Sequence, residues 1–386
     1  MKKRFYRYGI LCIVNMGLAF PAAAQTNDPE PFAVKYMEGV TVTASRTERK
    51  VFESPAAVTL VSDKELIMHA PRAMADALFG TTGVWMQKTN HGGGSPFVRG
   101  LTGNQTLILV DGVRLNNATF RYGPNQYFNT LDPWSAGRIE VVRGSGSVLY
   151  GSDALGGVIN VVTQQPEYTP GKRTVSGNAG LKLISQGMEQ SGYAGVTWQA
   201  PAAVLSASLN YKNFGDLKAG GDLGFEGPSG YDETGINLNG KFRLGGHWQL
   251  TGVFQQLNQQ DVPRYDQVAL RGYQRYAYDP QNHLLGYLKA ERSGEHAVFR
   301  KTSLQVSYQV SDETRKMRKN NAVILQTEHD RVNTTGLTAQ VESQFTTAWS
   351  SVTGLEYYYD QIASGKTEKN LDTGVETAKR GLYPDN

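Results

Sequence analysis

The chain has 386 residues, with 39 basic and 35 acidic side chains, 43 glycines and one cysteine. Setting aside Lys2, Lys3, Arg4 and Arg7 leaves 39 less 4 basic residues, equal to the 35 acidic ones, so the basic balance sits at the N-terminus and gives no signal for nucleic acid. Cys12 lies in the N-terminal apolar run, which excludes a disulfide framework and a thiolate metal site.

Residues 1–24 read as a secretory signal: a basic start, an apolar run over 9–20, and Ala22-Ala23-Ala24 before Gln25. Residues 25–36 are polar and proline-bearing, a tail. Within the tail, Glu38-Gly39-Val40-Thr41-Val42-Thr43-Ala44 alternates β-favouring residues. Such a segment either adds a strand to a partner's sheet edge or opens the following domain.

Residues 55–61 predict a strand, and Ser62-Asp63-Lys64-Glu65 a capping box that opens a short helix. A second helix is expected over 74–79, closed by Gly80, and a strand over 84–88. His91 then precedes three glycines in a loop over 88–95. Three apolar strands follow, at 106–110, 139–142 and 158–162, with Asp111-Gly112 as a hairpin turn after the first. Glycines punctuate the remainder, so 51–166 reads as a compact α+β body. A nucleotide-binding loop at Gly144 is disfavoured, because no Walker lysine or strand–loop–helix spacing follows.

From Arg173 the pattern becomes two-residue alternation, as in Leu205-Ala207-Leu209-Tyr211 against Ser206-Ser208-Asn210-Lys212. About nine such segments of about ten residues match tilted transmembrane strands. Short links near 200–201, 244–246, 293–295 and 346–347 alternate with long polar ones at 213–233, 259–282 and 312–330. Aromatic residues such as Trp198, Trp248 and Trp349 near segment ends suit interfacial girdles.

Four blocks carry a resemblance to a known family: VRG at 98–100, LILVDGVRLNN at 107–117, IEVVRG at 139–144 and SVLYGSDALGGVINVVT at 147–163. In this order they resemble the plug domain of TonB-dependent outer-membrane receptors. The resemblance implies an α+β plug domain followed by an antiparallel transmembrane β-barrel. That barrel is incomplete in this chain, about nine strands of the 22 expected, so the chain reads as part of a longer receptor. The implied domains are signal peptide (1–24), periplasmic tail with TonB box (25–50), plug (51–166) and N-terminal part of the barrel (167–386). The TonB box falls on Glu38, Gly39, Val40, Thr41, Val42, Thr43 and Ala44.

The resemblance also implies a location in the outer membrane of a Gram-negative bacterium and import driven by the TonB protein. The expected substrate is scarce and iron-containing: haem, haemoglobin-derived haem or a haem protein, with ferric siderophores and cobalamin as rivals. A signalling receptor and a passive porin-like channel are the other classes. Haem or a ferric chelate is expected as cargo, not as a tightly bound cofactor. Neither a catalytic constellation nor metal-ligand histidine spacing is present, so an enzyme is not expected. Arg99 and Arg143 resemble the family's contacts to inward-facing barrel acids, for which Glu356 is placed on the polar face of its strand. Candidate substrate contacts are His91 in the plug-apex loop, and Arg121, Tyr122, Asn125 and Tyr127 in the aromatic loop.

Overall fold

The computed structural model describes residues 40–41, 45–47, 49–245 and 247–384. The expected signal, the tail through Glu38 and Gly39, and Val42, Thr43 and Ala44 lie outside the described residues. Val40–Thr41 (β1) pairs antiparallel with Arg49–Lys50 (β2).

The α+β domain contains β3 (Ala57–Val61), β4 (Val84–Asn90), β5 (Gly93–Val98), β6 (Thr106–Val110), β7 (Val113–Arg114), β8 (Ala136–Arg143) and β9 (Gly157–Thr163). Its helices are α1 (Asp63–His69) and α2 (Ser147–Tyr150). Five strands form one sheet in the order β3-β8-β9-β6-β7, with β6 and β9 parallel. Both of these are buried throughout, which explains why they are mostly apolar without a two-residue alternation. Asp111 (φ 50°) and Gly112 (φ 80°) both take positive φ, as the two-residue turn between β6 and β7 requires. The Ser62 hydroxyl accepts from the Glu65 amide, and the Glu65 carboxylate accepts from the Ser62 amide, closing the capping box at α1. The segment expected as a second α-helix is a 3-10 turn, Met74–Leu78. Four of its five residues are buried, so tertiary packing on every side overrides the local helical preference.

The second part is a single antiparallel sheet. Its strands are β10 (Thr174–Ile184), β11 (Glu189–Gln199), β12 (Ala203–Phe214), β15 (Tyr231–Leu244), β16 (Trp248–Gln260), β18 (Tyr273–Ser293), β19 (Lys301–Lys319), β20 (Ile324–Gln344), β21 (Ser350–Asn370) and β22 (Glu376–Arg380), in that order. A small ribbon of β13 (Leu217–Lys218) and β14 (Phe225–Glu226) fills the β12–β15 connection, and β17 (Val262–Pro263) with α3 (Tyr265–Arg271) fills that between β16 and β18. β10 and β22 do not pair, so the barrel is not closed.

Two of the long links expected from the sequence are mostly strand. β18 begins at Tyr273, and β19 and β20 are joined by a tight turn around Asn321. These 19- to 21-residue strands exceed the span of the hydrocarbon. Beyond the lipid the outward face carries polar residues such as Arg275, Asp312 and Lys316, so apolar alternation no longer marks the continuing ladder.

One face of the sheet is apolar and exposed, with Leu205, Leu209, Leu288 and Tyr357 among its residues. The other carries Asn210, Lys212 and Glu233 and is covered by the α+β domain. The two share an apolar core in which Phe128, Ile139 and Ile159 cluster with Val253, Leu285 and Tyr287 of the sheet.

Candidate functional site

Polar contacts between the two parts converge on Lys212 of β12. Its ammonium donates to Asp132 Oδ1 at 2.9 Å and Glu233 Oε1 at 2.7 Å, and lies 4.8 Å from the centre of the Trp134 ring. Asn210 donates to the other Asp132 oxygen at 2.7 Å, and Gln259 donates to Glu233 Oε2 at 2.8 Å and to the Asn129 carbonyl at 3.1 Å. Asp132, Asn129 and Trp134 belong to the plug side, and Lys212, Asn210, Glu233 and Gln259 to the wall; all but the half-buried Trp134 are buried. Each charge is paired and each carboxylate has further donors, the condition under which buried ions are tolerated. A second contact runs from Tyr287, whose hydroxyl donates to Asp111 at 3.1 Å. Burial pushes the Asp111 carboxyl up from its ordinary range, opposed by donors from Thr163 and Tyr287.

The tail is held by Arg46. Its guanidinium pairs with Glu356 at 2.6 Å and stacks 4.0 Å over the Tyr150 ring, while its carbonyl accepts from Gln340. The expected partners of Glu356 were Arg99 and Arg143, and neither has an ion-pair partner among the described residues. Arg99 (φ 52°) lies beside Gly144, where a Cβ would fall 3.0 Å from its Nη1. Arg143 lies across Gly83, where a Cβ would fall 2.6 Å from its Cδ. Both arginines lie against plug backbone, and the cation at Glu356 comes from the tail.

The expected loop at 88–95 is the tip of the β4–β5 hairpin. His91 at the tip is 2% exposed, edge-on to Phe214 at 4.7 Å and Tyr231 at 5.7 Å. Gly92 permits this approach, since a Cβ there would meet Val262 at 2.7 Å. Burial drives the His91 pKa down to about 3, helped by the Lys88, Arg72 and Lys182 charges. Neither ring nitrogen has a hydrogen-bond partner. The histidine is thus neutral and enclosed, not open to an arriving ligand.

The aromatic loop divides in two. Asn125 and Tyr127 are buried, the first through its amide to Ser95 Oγ and the second stacked on Phe120 at 4.6 Å. Arg121 and Tyr122 are exposed, Tyr122 at 77%. Tyr278, Tyr127, Arg315 and Tyr383 form the electrostatic surroundings of Arg121. Farther along the same end of the wall, Tyr273 and Tyr276 meet edge-on at 5.1 Å, with Lys319 over the first ring and Arg264 over the second. This vestibule of phenols and cations fits a ligand with anionic and aromatic groups. No cluster of three or more metal-ligating side chains occurs among the described residues.

A small α+β domain seated on the polar face of a transmembrane antiparallel sheet defines a plugged outer-membrane barrel protein. Residues 50–158 match the TonB-dependent Receptor Plug Domain family. The vitamin B12 transporter BtuB of Vibrio vulnificus is 34% identical over 210 residues, 53% of this chain and 31% of that protein. The iron-regulated outer membrane virulence protein of Vibrio cholerae is 37% identical over 196 residues, 49% of this chain and 28% of that protein. The solved copper transporter OprC superposes with a TM-score of 0.68 at 17% identity, over 83% of this chain and 48% of that one, which speaks to the fold alone. The chain spans about a third of the length of these two relatives. Over its plug segment and the strands that follow, the chain is similar to these outer-membrane proteins.

Proposed function

We propose that the protein imports a metal chelate across the outer membrane, energised through its tail by the TonB protein. The observation that carries this reading is the plug, wedged against the wall by the Lys212 cluster and joined to the tail through Arg46. A passive channel has no use for a wedged plug or a tethered tail. The substrate lands on Arg121 and Tyr122 beneath the Tyr273–Tyr276 pair. Ferric siderophores fit this surface best, since their oxygens already fill the iron and need only cations and rings around them. Haem is the second reading. Its carboxylates suit Arg121, but an axial nitrogen from His91 would require the Phe214–Tyr231 enclosure to open.

Equilibrium binding of haem, cobalamin and ferric siderophores to the purified full chain tests this. Arg121→Ala combined with Tyr122→Ala is expected to weaken siderophore binding at least tenfold. Haem binding with an imidazole-type Soret band, and no siderophore affinity, would replace the siderophore reading with haem.

A further inference from the structure

The face of the wall turned away from the plug carries a groove of about 760 Å³ across β11, β12, β15, β16, β18 and β19. Its floor is made by missing side chains. Gly240 registers opposite Gly252, and Gly286 lies one alternation step beyond the Gly252 partner, Leu288. Leu205, Leu238, Phe254 and Leu288 form the sides, and Trp198 and Tyr308 stand at the two ends. Lipid-facing positions of membrane strands ordinarily carry bulky apolar residues, so glycines at neighbouring ones hollow the surface. Six strands give five spacings, roughly 24 Å, a length suited to a common fatty acyl chain.

The Trp198 end has different chemistry. Trp198 is the penultimate residue of β11 and registers with Val175, whose strand is preceded by the exposed Lys172 and Arg173. Neither cation has an ion-pair partner among the described residues. This end lies at the short turns, where the indole suits the interface and the cations suit a phosphate.

We propose that this groove is a phospholipid site, with one acyl chain on the glycine floor and an anionic head group at Arg173. The occupant follows from charge and place. The slot is apolar and opens to the hydrocarbon, while its mouth at the membrane boundary is cationic. The inference is independent of the imported substrate.

Native mass spectrometry of the full chain, released from bilayers of phosphatidylethanolamine and phosphatidylglycerol, tests it. The wild type should retain one phospholipid through delipidation, with phosphatidylglycerol favoured. Gly286→Leu should lower retention at least fivefold. The new side chain fits, because a Cβ there meets only the Val253 carbonyl at 3.8 Å. Gly365→Leu, at an open position outside the groove, should retain lipid as the wild type does. Arg173→Gln should keep the lipid but lose the preference for phosphatidylglycerol. Equal retention by wild type and Gly286→Leu, or a lipid-free dimer in which the groove is covered, would overturn the proposal.

Discussion

Removing the Lys212 ammonium would leave the Asp132 and Glu233 carboxylates facing each other in a buried site. Lys212→Met is therefore expected to destabilise the plug–wall assembly by about 3–5 kcal/mol, the range for breaking a buried pair from one side. Thermal melting of the purified protein reads this directly. A triple change that also makes Asp132→Asn and Glu233→Gln should recover much of the loss, since no uncompensated charge remains. A Lys212→Met melting point equal to that of the wild type would mean that the hub contributes nothing. None of these three residues stood out in the sequence. Lys212 alternates with Tyr211 like any lumen-facing lysine, and its partners lie 80 and 21 residues away. Alternation tells which face a side chain takes and not which groups meet there. The same gap explains Glu356: its inward position could be read, but its partner Arg46 comes from 310 positions earlier, that is 356 less 46.

At the level of elements, local chemistry is most informative where the signal is short-ranged. The capping box at Ser62 and the turn at Asp111-Gly112 form as the residues predict, because each depends on contacts within three residues. The 74–78 segment departs from expectation because its packing partners are distant. The lengths of β18, β19 and β20 were hidden because paired strands outside the lipid need no apolar face. The α1 cap yields a prediction at this scale. Ser62→Ala removes the acceptor for the Glu65 amide and should cost about 1 kcal/mol of plug stability. Backbone and side-chain hydrogen bonds from Ser62 hold the Glu65 carboxyl below its ordinary value. A depressed carboxyl stabilises the fold above its unfolded pKa, and that stability is lost as pH falls through the folded pKa. The difference between Ser62→Ala and wild type, followed by chemical denaturation, should therefore be full at neutral pH and shrink in acid below the ordinary glutamate range. A difference that is constant with pH would remove the Ser62 hydroxyl–Glu65 carboxylate bond from the account.

Across the whole molecule, the proposed import reading requires the tail to act on a plug that is wedged in place. Arg46 ties the tail to both the α2 region, through Tyr150, and the wall, through Glu356. On the proposed import reading, a pull on the tail would act on both contacts through Arg46. The grip itself requires backbone. One edge of Val40–Thr41 is already occupied by Arg49–Lys50 in β1–β2. A partner strand has only the other edge to pair with, and Val42, outside the described residues, is the next β-favouring residue of the expected handle. Val42→Pro removes an amide donor and fixes φ near −65°, so strand addition should fail there. Energised uptake of the bound chelate by whole cells should fall to background, while surface binding of the same chelate stays at wild-type affinity. The contrast matters because Val42 is distant in sequence from the Arg121–Tyr122 surface. Wild-type uptake by Val42→Pro would show that the segment is not the handle. Loss of both uptake and binding would show instead that the residue supports the fold of the plug, and the strand-addition account would fall with it.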